Sequence, residues 1–252
     1  MKNKKKQLGL YLGYIGIFLL GLLTAVTAYS IESQSKHLTT VQLSNSPGYQ
    51  EIERKAPIVA VNSDETAGIV GVVDVRLIPG SSNVLVDTSP FTEPDLQLSA
   101  NTAVQVAKSV TGLTSTDKDF VFDYQIQSDV VGGGSAGAAE TLAAIAALEN
   151  KSIKTDVAIS GTINADGTIG PVGGLLEKAK AVSNAGYKLF LVPQGEAITT
   201  IPQGVVQRRQ MGPFVSYTTQ VIPKTVDLRQ QGLNLKIVEV SNVQDAMKYM
   251  LE

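Results

Sequence analysis

The longest apolar run of the chain, LGLYLGYIGIFLLGLLTAVTA from Leu8 to Ala28, extends 21 residues without a charge. At about 1.5 Å per residue a helix of that length crosses a bilayer core of roughly 30 Å, so the pattern predicts a transmembrane helix over 8–28. Residues 29–55 are polar and hold no sustained period, as expected of a stalk. From Ala56 the pattern changes to short β-rich runs, PIVAVN, GIVGVVDVRLIPG and NVLVDTS, with turn residues between them.

After Pro94, the residues Leu96, Ala100, Ala103, Val104 and Ala107 recur at helical spacing until Gly112 stops them. DFVFDYQIQS alternates as a strand and leads into a glycine-rich loop, after which Ala138 to Leu148 reads as a second helix. In TDVAISGTINADGTIGPVGG the pair Asp166-Gly167 predicts a hairpin turn between two strands. GGLLEKAKAVSNAG predicts a third helix ending at Gly186, followed by the strand YKLFLVP; LNLKIVEV and NVQDAMKYMLE add a last strand and helix. Residues 194–232, with Arg208-Arg209 and several prolines and glycines, read as a long irregular insertion. Strands and helices mixed with at least one hairpin give an α+β class rather than a regular βαβ alternation. The resulting organisation is a basic tail over 1–7, the span over 8–28, the stalk over 29–55, and one domain over 56–252 with an insertion at about 194–232.

Composition fits a globular domain: 43% of residues are hydrophobic and 17% charged. MKNKKK places four lysines before the apolar run, which orients the N-terminus toward the cytoplasm and the domain outside, on a single-pass cell-membrane protein. A signal peptide cleaved after Val26-Thr27-Ala28 is the alternative, and either way the domain is exported. Without those four lysines, the remainder sets 17 basic residues against 23 acidic ones, a formal charge of −6 that argues against a nucleic-acid partner. With no cysteine, disulfides and thiol chemistry are excluded.

The chemistry centres on VVGGGSAGAAETLAAIAALEN, residues 130–150, which carries three overlapping signatures. Gly132, Gly134 and Gly137 spell a dinucleotide loop, but the acidic residue expected about 20 positions on is represented only by Asp156, which begins its strand instead of ending it. Gly133, Ser135 and Gly137 spell a nucleophile elbow, yet the only histidine, His37, precedes Ser135 and lies in the stalk, so a Ser-His-Asp triad is not available. The third reading makes Ser135 a helix N-cap. For a serine nucleophile the remaining base is a lysine neutralised by burial. Lys178 has Leu175, Ala181, Val182 and Ala185 on its own helical face, whereas Lys180 has Glu177, Ser183 and Asn184. A stem packed on apolar surface with its head in water is the alternative for Lys178.

Taken together, GGGSAG at 132–137, AISGTI at 158–163, IGPVGGLLEKAKAVSNAG at 169–186 and KLFLVP at 188–193 resemble the proteolytic domain of Lon proteases over roughly residues 56–252. The resemblance implies a catalytic dyad of Ser135 and Lys178, 43 positions apart, with Ser160 at the place of the hydroxyl that orients the lysine amine. An oxyanion hole is expected from the backbone N–H groups of Gly133, Gly134 and Ser135 at a helix N-terminus. The chain departs from the typical D-G-P-S-A-G loop, with Gly132 at the acidic position and Gly134 at the proline position, and Asp129 is the candidate acidic neighbour. No metal or other cofactor is called for. The 252 residues hold no G-x-x-x-x-G-K-[ST], so the expected activity is an ATP-independent, membrane-anchored serine endopeptidase acting on unfolded or flexible polypeptides. A homo-oligomer, a hexamer by resemblance, is the expected assembly. The competing expectations are an inactive Lon-like domain that binds peptides or scaffolds a membrane complex, and an unrelated exported structural module.

Overall fold

The structure, a computed structural model, describes residues 51–62 and 64–252. The basic tail, the expected span over 8–28, most of the stalk and His37 lie outside the described residues. Among the described residues no helix is long and apolar enough to cross a membrane.

Strand β1 (Ile52–Val61) pairs along its whole length with antiparallel β2 (Gly68–Pro79). β3 (Val84–Val86) and β5 (Lys118–Gln125) complete a four-stranded sheet in the order β1-β2-β5-β3, with β3 parallel to β5. The domain therefore begins four residues before the expected boundary: Ile52–Lys55 pair with Asp74–Leu77 instead of belonging to a stalk. Their charges hid the strand, and they are tolerated because β1 is an edge, where a lysine such as Lys55 can reach Asp74 while its side stays wet.

Helix α1 (Pro94–Thr111) starts on a proline and ends on Gly112 at φ 70, a left-handed position that suits a residue without Cβ. Its predicted stripe of Leu96, Ala100, Ala103, Val104 and Ala107 is wholly buried. β4 (Phe91–Thr92) and β6 (Val130–Val131) pair beside its start. Helix α2 (Gly137–Glu149) is buried from Gly137 to Ala147, which is the behaviour of a helix apolar all round. Its alanines let α1 and the sheet approach closely, while the fully buried Leu142 and Ile145 each contribute about 1.5–3 kcal/mol.

β8 (Thr162–Ile163) and β9 (Ile169–Gly170) form the expected hairpin around Gly167. β7 (Val157–Ile159), β10 (Leu189–Pro193) and β13 (Lys236–Val240) make a parallel sheet in the order β13-β10-β7. Helix α3 (Leu175–Asn184) follows the hairpin between β7 and β10 and packs over a second core that includes Phe190, Val192 and Leu228. The fold is thus mixed, an antiparallel-dominated sheet beside a small parallel one. Helix α4 (Val243–Met250) closes it, capped by the Asn242 side chain, which accepts from Asp245 N at 2.9 Å.

Residues 194–232 are not irregular. β11 (Ile198–Met211) and β12 (Phe214–Asp227) form a two-stranded ribbon with fourteen paired rungs, turning at Gly212-Pro213. Pro202 faces Pro223 across it, and such residues fit a ribbon whose outer edges make no ladder. Of the residues that read as loop signals, Pro202, Gly204 and Pro223 sit inside the paired strands and Gly212-Pro213 make the turn.

Candidate active site

The loop between β6 and α2 is a single 3-10 turn, Gly134–Ala136, entered through Gly133 at φ 84. Gly133 requires its glycine, since a side chain at that backbone angle is strained. Ser135 sits in this turn ahead of α2, whose N-cap is Ala136 without any side-chain cap bond, so the helix-cap reading of Ser135 fails. The dinucleotide reading fails as well, because β6 and β7, the strands on either side of α2, belong to different sheets.

Three hydrogen bonds tie this turn to the end of β7. The Gly161 N–H donates to the Ser135 carbonyl at 3.0 Å, the Ala138 N–H donates to the Gly161 carbonyl at 3.0 Å, and the Ser160 hydroxyl reaches the Ser135 carbonyl at 3.4 Å. Close approach is possible because Gly161 and Gly137 lack Cβ atoms: one at Gly161 would lie 2.4 Å from Ile169, and one at Gly137 would lie 2.6 Å from Ile163. Lys178 completes the group from α3. Its amine donates to Ser160 Oγ at 3.2 Å, so Ser160 links the lysine to the backbone of Ser135. Among the described residues Ser135 Oγ and Lys178 Nζ are not bonded to each other.

Lys178 is 2% exposed, so its head does not snorkel to water. Among the described residues it forms no ion pair, while Lys180 on the outer face pairs with Glu177 at 2.8 Å. Burial pushes the Lys178 amine down to about 8, and the Glu65 carboxylate partly opposes this. The stripe legible in the sequence is correct at Leu175 and Val182, although Ala185 is exposed at the helix end.

Two expected roles change. The Gly133 N–H donates to Asp95 Oδ2 at 2.8 Å, so it is engaged, leaving Gly134 and Ser135 as the oxyanion donors to consider. The carboxylate bound to the loop is therefore that of Asp95, in the first turn of α1, and not Asp129, which lies in the wall of a neighbouring cleft. Glu93 adds to this: a Cβ at Gly132 would lie 1.8 Å from Glu93 Oε2, so a carboxylate from the start of α1 occupies the space that an acidic side chain at 132 would need. No spacing rule connects Glu93 and Asp95 with a loop 38 residues downstream, and sequence reasoning missed both.

It also missed Glu140. This residue is fully buried in α2, where its carboxyl accepts from Ser99 Oγ at 2.7 Å and from the Tyr124 hydroxyl at 2.9 Å. Burial raises it to about 7 against the lowering effect of both hydroxyls. A lone acid inside AAETLAAIAAL, where Thr141 is the one other polar residue, was the available signal. The cleft that holds Asp129, about 640 Å³, is lined by Ala60, Val61, Ile69, Ile126 and Val130 together with the polar Asn62, Glu93 and Ser128, and it ends at Gly132.

The chain is similar to known proteases over most of this domain. The family described as Lon protease (S16) C-terminal proteolytic domain matches residues 60–228. The Lon protease of Vibrio parahaemolyticus serotype O3:K6 is 26% identical over 194 residues, covering 74% of this chain and 24% of that protein. The Lon protease of Desulfatibacillum aliphaticivorans is 29% identical over 139 residues (52% and 17%), and the archaeal Lon protease of Methanocaldococcus jannaschii is 29% identical over 117 residues (46% and 17%). The chain spans a quarter or less of the length of these relatives.

Proposed function

Because the chain belongs to the Lon protease (S16) proteolytic-domain family, we propose that it is a serine endopeptidase with Ser135 as nucleophile and Lys178 as general base. One observation carries this reading: a buried amine that has no ion-pair partner among the described residues, lowered to about 8, held on a serine hydroxyl that itself binds the backbone of Ser135. A structural lysine gains little from such a place, and a base gains the neutral form it needs.

In the reaction, Ser135 Oγ adds to the scissile carbonyl carbon as its proton passes to neutral Lys178. The N–H groups of Gly134 and Ser135, at the entrance to α2, take the oxyanion. The tetrahedral intermediate then collapses, the C–N bond breaks, and the Lys178 ammonium returns its proton to the departing amine. Water repeats the sequence on the acyl-enzyme with the same lysine as base, releasing the acid and Ser135. Ser160 keeps the amine directed at the turn.

Action without ATP on unfolded or flexible polypeptides, and a membrane anchor over 8–28, belong to the same proposal. Their support lies in the sequence, in the uncharged run behind four lysines and in the lack of a phosphate-loop motif within these 252 residues. The second reading is an inactive domain that binds peptides, favoured by the amine being bonded to Ser160 instead of Ser135. Cleavage of a fluorescently labelled unfolded protein without nucleotide separates the two. Loss of at least about 100-fold in kcat is expected for Ser135→Ala and for Lys178→Met. Turnover that survives both substitutions would sink the dyad, and a folded wild type without turnover would favour the binding reading.

A further inference from the structure

The β11–β12 ribbon takes no part in the chemistry proposed above, and its composition differs from the rest of the domain. Residues 51–252 contain 16 basic and 22 acidic residues, whereas from Ala197 to Val226 there are three basic residues, Arg208, Arg209 and Lys224, and no acid. Among the described residues its base is what is anchored, through Ile201 and Val226 on the second core. From Gln203 to Ile222, Val205 and Ser216 are half-buried and all other residues are exposed. Fourteen residues at about 3.3 Å each make an arm on the order of 45 Å long.

The end of the arm is layered. Met211 and Phe214 face each other on the last rung, 58% and 73% exposed, with Val215, paired with Gln210, on the opposite face. Two positions back, about 7 Å along the strand, stand Arg209 behind Met211 and the Arg208–Tyr217 pair behind Val215. Among the described residues neither arginine has an ion-pair partner. Met211 and Phe214 thus make an apolar tip on one face, Val215 beside Gln210 continues it on the other, and the cations and the phenol form a collar behind it.

That axial order suits a bilayer surface better than a protein surface. A protein partner needs one continuous face, and stable contacts bury about 1,200–2,000 Å² in total; here both faces mix apolar with polar residues. Addition of an extended peptide along an edge is opposed by Pro202 and Pro223, which stand on the same rung and interrupt donors on both strands. In a lipid interface, by contrast, apolar side chains enter the acyl boundary while arginines and tyrosine meet the headgroups. We infer that the β11–β12 ribbon is a membrane-contacting arm whose tip, Met211, Phe214 and Val215, inserts into a bilayer surface while Arg208 and Arg209 bind its anionic lipid headgroups. The inference is independent of the peptidase chemistry and of the segment over 8–28.

The chain has no cysteine, so single labelling sites can be introduced cleanly. The full chain carrying Val215→Cys or, as a control in the α1–β5 loop, Thr116→Cys is labelled with an environment-sensitive fluorophore. Each is combined, with detergent removal, with vesicles of phosphatidylcholine alone or of equal parts phosphatidylcholine and phosphatidylglycerol. A blue shift and quenching by lipid-borne quencher are expected at 215 on the anionic vesicles and not at 116. At about 1 kcal/mol per basic residue, Arg208→Gln with Arg209→Gln is expected to reduce the equilibrium constant for tip insertion about 30-fold at low salt. The proposal is overturned if the probe at 215 gives no lipid quenching, or if its quenching is equal on neutral vesicles and indifferent to the two arginines. Probe–probe quenching that rises with protein density without lipid quenching would assign the tip to a second copy of the chain and also overturn it.

Discussion

At the scale of single residues, the site depends on bringing the neutral form of one buried amine within reach of ordinary pH. Lowering Lys178 from 10.5 to about 8 costs about 3 kcal/mol of folding stability at neutral pH. Lys178→Met keeps the apolar stem and removes the charge. It is therefore expected to unfold at higher denaturant concentration at pH 7, by about 3 kcal/mol, while losing turnover. The active form of the base is the deprotonated one, so kcat/KM is expected to rise with pH and level off above about 8. A pH–rate profile that is flat from pH 6 to about 9 would remove Lys178 from the role of base.

Among the elements, the nucleophile turn and α3 are each held by glycines at points of contact. A Cβ at Gly68, where β2 begins, would lie 2.4 Å from the Glu177 carbonyl, one residue before Lys178. Gly68→Ala is expected to push α3 outward, costing about 1–3 kcal/mol and lowering kcat more than it raises KM. Gly134 is the opposite case. It is the first residue of the 3-10 turn, and a Cβ there would meet only Thr162 at 3.7 Å. Gly134→Pro is expected to stabilise the protein by about 0.4–1 kcal/mol through the unfolded chain and to lower kcat, because it removes one of the two N–H groups assigned to the oxyanion, as thermal unfolding and the unfolded-protein assay would show. Full turnover in this variant would remove the Gly134 N–H from the oxyanion role and leave that of Ser135.

Across the whole molecule, two buried ionisable groups set a stability profile. Glu140 is raised from 4.5 to about 7, so its contribution is fully present below 4.5 and is lost as pH rises through about 7. Lys178 is lowered from 10.5 to about 8, so its cost is complete below about 8 and disappears as pH rises to 10.5. Both costs are therefore at full strength only between about 7 and 8. Chemical denaturation across pH is expected to show a shallow minimum there, which Glu140→Gln removes on the acid side and Lys178→Met on the alkaline side. If neither variant alters its own limb of the curve, these two groups do not set the profile.

Sequence by itself determined the elements whose periodicity reports their own burial: the α1 stripe ending at Gly112, the Asp166-Gly167 hairpin, and the apolar face of α3 that carries Lys178. It also brought Ser135, Ser160 and Lys178 forward through ordered motifs. These are local facts, since spacing along a helix or strand fixes which side chains share a face before any tertiary contact forms. Only the tertiary structure decided that Glu93 and Asp95 supply the carboxylates at a loop that has none of its own, that the Gly133 N–H is engaged, and that Glu140 is buried under two hydroxyls. It also decided that the charged Ile52–Lys55 stretch is a strand and that the proline-bearing insertion is a paired ribbon. In each case the deciding partner lies far away in the chain or across a strand, where one-dimensional spacing carries no information about distance.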